Sequence, residues 1–69
     1  MAKGYIELNS FLKVLGLAST GGQAKLLIRS GVVKVNGEVD LRNKRKLLGG
    51  EVVETGGKKY VVEEKFILK

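Results

Sequence analysis

The hydrophobic period of this chain changes once, near Val32, from helical to alternating, which dictates helices in the first half and strands in the second. Leu8, Phe11, Leu12 and Leu15 recur at i, i+3, i+4 and i+7, one face of a helix from about Asn9 to Leu15. Gly16 follows as a residue that accepts positive φ, and Leu17 is placed to fold back on the last turn. Ser19 or Thr20 caps a second helix, in which Ala24, Leu27 and Ile28 face inward and which Gly31 ends. Beyond Val32 the period is two. Val33, Val35, Val39 and Leu41 flank Asn36-Gly37, a pair that tolerates the two successive positive φ angles of a tight hairpin. A second hairpin runs from Glu51 to Thr55, turns at Gly56-Gly57 and returns over Lys58 to Glu63, with Phe66 to Leu68 as a last strand or tail. Tyr5-Ile6-Glu7 is a short strand ahead of the first helix, and the whole reads as one α+β unit.

A chain of 69 residues holds one domain, spanning residues 1–69, and one small core, because at this size only about 60% of the unfolded surface is buried on folding. It has no cysteine and no histidine, so disulfides, thiolate metal sites, thiol nucleophiles and imidazole acid–base pairs are excluded by inventory. No enzyme, metal or cofactor is expected. No apolar run approaches the roughly 20 residues of a membrane helix, and the expected location is the cytoplasm.

The net charge of +6 favours polyanionic partners. Residues 1–40 carry five bases and three acids, residues 41–50 four bases and no acid, and residues 51–69 four of each, so four of the six net charges fall within ten residues. Those four are Arg42, Lys44, Arg45 and Lys46, expected in a loop between strands, held together and free of acidic neutralisation. The bland reading is a solubilising basic loop. Lys25 and Arg29 lie about 40° apart on the wheel of the second helix, opposite its apolar face; alone they are an ordinary solvated edge, and with the loop they make one positive surface. Gly21-Gly22 could offer backbone N–H groups to a phosphate, although a packing role for the glycines is preferred. Aromatic residues are scarce, which favours reading folded RNA by shape and phosphate position over base stacking. Glu51, Glu54, Glu63 and Glu64 are expected to balance Lys58, Lys59 and Lys65 across the second hairpin.

Leu8, Phe11-Leu12-Lys13 and Gly16, then Gln23-Ala24-Lys25 with Leu27-Ile28, then Gly31-Val32-Val33-Lys34-Val35-Asn36-Gly37 carry a pattern. From Leu8 to Val53 it resembles the S4 RNA-binding domain, named after a small-subunit ribosomal protein. Thr20-Gly21-Gly22-Gln23-Ala24-Lys25, Arg42-x-x-Arg45-Lys46-Leu47 and Gly50-Glu51-x-Val53 resemble its stand-alone bacterial, YaaA/YbcJ-like branch. The resemblance implies an αL RNA-binding motif of two short N-terminal helices packed on a small twisted, mainly antiparallel sheet. RNA would be contacted by helix two and neighbouring loops. Relatives of that family are fused to pseudouridine synthases, tyrosyl-tRNA synthetases and ribosomal proteins. Lys13, Gln23 and Lys34 join Lys25, Arg29, Arg42, Lys44, Arg45 and Lys46 as expected RNA contacts on this ground, as does Gly22, where many members carry an arginine instead. The expected partner is structured RNA, ribosomal or transfer RNA, with a ribosomal subunit as a candidate and the chain a monomer. The alternative is an adaptor whose basic face meets an acidic protein. Exchanging Arg45 and Lys46 for Glu is expected to abolish RNA retention without unfolding.

Overall fold

The computed structural model describes residues 4–67. The element order is β1 (Ile6–Glu7), α1 (Leu8–Val14), α2 (Gly21–Arg29), β2 (Lys34–Val35), β3 (Glu38–Val39), β4 (Lys46–Leu47), β5 (Val52–Thr55) and β6 (Lys58–Val61), then a 3-10 turn at Glu64–Phe66. This is the α+β arrangement that the change of period demands, with every strand pair antiparallel.

Both helices stop where their capping residues say they should. After α1, Gly16 takes a φ of 79°. Its N–H donates to the Lys13 carbonyl and the Leu17 N–H to the Leu12 carbonyl, both at 3.0 Å, the paired bonds that close a helix on a left-handed residue. At the start of α2 the Thr20 hydroxyl accepts from the Gln23 N–H at 3.1 Å, while the Gln23 side-chain carbonyl accepts from the Ser19 N–H at 2.7 Å.

The larger sheet has the order β3-β2-β5-β6. Asn36 and Gly37 close its first hairpin with φ angles of 53° and 88°. Asn36 also stitches the turn to β5: its N–H donates to the Val52 carbonyl at 2.7 Å and its Oδ1 accepts from the Val52 N–H at 3.0 Å. Gly37→Ala is therefore expected to cost about 1–2 kcal/mol, the price of a Cβ in left-handed backbone. Urea unfolding should show a lower midpoint at unchanged slope.

β4 departs from the sequence reading. Lys46, expected in a loop, pairs with Glu7, and Leu47 with Ile6, in a separate two-stranded ribbon. Two residues are too few to show an alternating period, so nothing in the local pattern marks this strand. Phe66, expected in a strand or tail, instead closes the 3-10 turn and sets its ring edge-on against Phe11 at 5.6 Å. Leu68 lies outside the described residues.

The core lies between helices and strands. Leu8, Phe11 and Leu12 of α1 and Ala24 and Ile28 of α2 meet Val33, Val35, Leu47, Val53 and Val62. Strand alternation then turns Lys34 and Glu54, paired across β2 and β5, away from that core.

Candidate nucleic-acid interface

Helix α1 starts without a side-chain cap, since Glu7 makes no capping bond. Its first amides find partners in the basic segment instead. The Leu8 N–H donates to the Arg45 carbonyl at 2.8 Å and the Asn9 N–H to the Asn43 carbonyl at 3.0 Å. The backbone at 43–45 is thus fastened to the end of a helix whose Leu8, Phe11 and Leu12 are fully buried.

Asp40 fastens the same segment from its other side. This carboxylate is only 6% exposed. Oδ1 accepts from the Arg42 N–H at 2.9 Å and Arg42 Nε at 3.0 Å; Oδ2 accepts from Arg42 Nη2 at 2.8 Å and Arg45 Nη1 at 2.9 Å. The Arg42 side chain holds Asp40 far below the usual carboxylate range, outweighing the burial that pushes it up, and the Arg42 N–H and Arg45 add to the effect. Arg45 reaches on to Glu51, Nη2 to Oε2, at 3.2 Å. Burial would raise Glu51, yet bonds from the Leu48 N–H and Asn36 Nδ2, together with Arg45, hold it below its ordinary value.

The expectation that the basic segment is free of acidic neutralisation is overturned. Asp40 and Glu51 flank it in sequence and fold onto Arg42 and Arg45, so two of the four positive charges are matched by two negative ones. Glu51 consequently does not serve the second hairpin; Glu54 does, as the cross-strand partner of Lys59, and Glu63 lies 3.7 Å from Lys65. With a side chain only 24% exposed and locked between two carboxylates, Arg45 is a structural residue, so its exchange for Glu would damage the fold. Arg42 is 70% exposed and presents its outer edge to solvent while bound to Asp40.

The charge left over belongs to lysines. Lys44 and Lys46 are exposed and, among the described residues, unpaired with any carboxylate. Together with Arg42 and Arg45 they line one open depression. On α2, Lys25 and Arg29 are exposed beside the buried Ala24 and Ile28, unpaired among the described residues, with Leu26 between them 73% exposed. Helix α1 packs on α2 and carries the basic segment on its first turn. Lys13 is exposed in the last turn of α1, and Lys34 lies on the sheet face turned from the core. The Gln23 side chain is engaged in the α2 cap.

The packing reading of Gly21-Gly22 does not hold. A Cβ at Gly21 would meet nothing within 4 Å, and one at Gly22 only the Thr20 hydroxyl at 3.8 Å. Two residues went unread as parts of the site. Asp40 carried a signal, because an aspartate two residues before an N–H it can accept is a common local turn, here Asp40-Leu41-Arg42. Tyr5 carried none: Lys46 comes to lie over its ring, 5.1 Å from the centroid, only because β1 pairs with β4.

The family model described as the S4 domain matches residues 1–63. The chain belongs to the S4 domain family. It is 40% identical over 53 residues to the protein named "Putative RNA-binding protein YbcJ" of Escherichia coli (strain K12), covering 77% of this chain and 76% of that protein. It is 44% identical over 52 residues to "Probable ribosome maturation protein RlbA" of Bacillus subtilis (strain 168), covering 75% of this chain and 73% of that one. The resemblance legible in sequence ran from Leu8 to Val53, across both helices, the β2–β3 hairpin, the basic turn and the start of β5. The carboxylate clasp around Arg42 and Arg45 was visible only in three dimensions.

Proposed function

We propose that this S4 domain docks on structured RNA, ribosomal or transfer RNA, without modifying it, as a cytoplasmic monomer in ribosome assembly or translation. The observation that carries the reading is a basic turn held rigid from two sides, on α1 by carbonyls and on Asp40 and Glu51 by arginines, with Lys44 and Lys46 exposed and, among the described residues, unpaired with any carboxylate. Lys25 and Arg29, exposed on the helix that packs against α1, are the further cations of this reading. A rigid array of cations fits the regular phosphates of folded RNA, since little side-chain and loop order has to be created on binding. The names of the two relatives, one as an RNA-binding protein and one as a ribosome maturation protein, support the same reading.

If Lys25, Arg29, Lys44 and Lys46 each engage a phosphate, log affinity for a structured ribosomal RNA fragment should fall against log salt with a slope of about −3 to −4. A flat salt response would sink the proposal. Ribonuclease treatment of protein captured from extract separates it from the adaptor reading: an acidic protein that stays bound after the RNA is gone favours the adaptor.

A further inference from the structure

The β1–β4 ribbon buries one face and exposes the other. Ile6 and Leu47, paired across it, are buried, so Tyr5, Glu7, Lys46 and Leu48 stand on the opposite face. Tyr5 is 38% exposed and Leu48 47%. Lys46 faces Glu7 across the ribbon, yet among the described residues it makes no ion pair with it and holds its ammonium over the Tyr5 ring. An exposed aromatic ring and an exposed leucine therefore share a face with Lys46, which lines one depression with Lys44. Neither apolar group is needed by the core, which closes beneath them.

We propose that Tyr5 is a stacking platform for one unpaired nucleobase, whose flanking phosphates are taken by Lys44 and Lys46. The inference rests on the RNA-docking reading above and adds a specificity to it: phosphate contacts alone do not distinguish a perfect stem from one with a displaced base, whereas a ring does. A phosphate draws the Lys46 ammonium off the ring, and the uncovered face accepts the base, so one cation–π contact is exchanged for an ion pair and a stack. Leu48 borders the base on its apolar side.

The test compares two RNAs, a fully paired stem and the same stem carrying a single unpaired adenosine, bound by the wild type, Tyr5→Phe and Tyr5→Leu. Tyr5→Leu should lose about tenfold on the bulged stem, the order of one base stack, and nothing on the paired one. Tyr5→Phe, which keeps the ring, should bind both as the wild type does. Tyrosine emission gives a second readout, because the chain has two tyrosines and no tryptophan. The bulged stem should quench wild-type emission, and Tyr5→Phe should remove that quenching although binding persists. Tyr5→Leu that binds the bulged stem like the wild type, or that weakens on both stems alike, overturns the platform and leaves RNA docking standing. A wild type that binds neither stem overturns the docking reading and the platform with it.

Discussion

Asp40→Ala is expected to bring the domain to the edge of unfolding, with a loss of about 3 kcal/mol. The side chain accepts four hydrogen bonds from a position almost out of water. Its removal leaves the largely enclosed Arg45 with Glu51 as its only acid among the described residues, whereas the largely exposed Arg42 regains water and contributes less to the loss. The Arg45 and Asn43 carbonyls also cap α1, so the damage spreads to the helix start. A core in a chain of this length supplies only about 3–5 kcal/mol in all, which is why one carboxylate can decide whether it folds. Asp40→Asn keeps an acceptor for the Arg42 N–H and should fall between the two. Urea unfolding at neutral pH measures all three. The pH dependence follows from the same bonds. Asp40 is held below its unfolded value, so its contribution is complete above about pH 4 and drains away as pH falls further toward its folded value. Wild-type stability should therefore drop below about pH 4, and Asp40→Ala should drop less over the same interval. Equal acid sensitivity in both proteins would show that the clasp does not stabilise the fold.

Lys44→Glu combined with Lys46→Glu is expected to abolish RNA retention at low salt while the domain stays folded. Each exchange swings the local charge by two units, four in total, and a unit charge at contact distance is worth about 1 kcal/mol even in bulk water, so affinity should fall by about a thousandfold. Neither lysine is paired with a carboxylate among the described residues, and Lys46→Glu costs the fold the mild repulsion of Glu7 across the ribbon and one exposed cation–π contact with Tyr5. Thermal melting should be nearly unchanged. The contrast is Arg45→Glu, which sets three carboxylates against one another and should melt the domain first. Undiminished binding by the folded double variant would remove the basic turn from the interface.

Much of the fold was legible because it depends on neighbours in sequence. The i, i+3, i+4 spacing from Leu8, the glycine after each helix and the Asn36-Gly37 turn act through local backbone geometry, and each element formed where its residues placed it, within a residue or two. The failures share a different character. β4 pairs with β1 across some forty residues, Phe66 packs on Phe11 from the other end of the chain, and neither contact leaves a period to read. The site divides the same way: the exposed edge of Lys25 and Arg29 follows from the helical wheel, while the state of Arg42 and Arg45 does not.

What the sequence determined by itself is the class of architecture, the inventory that leaves no thiol or imidazole chemistry, and the size of the positive excess. Which of those charges are available was settled only by the tertiary structure. Charge sums along a chain regardless of folding, but ion pairing depends on distance and burial, and it is the return of β5 that sets Glu51 against Arg45 while the turn after β3 tucks Asp40 beneath Arg42.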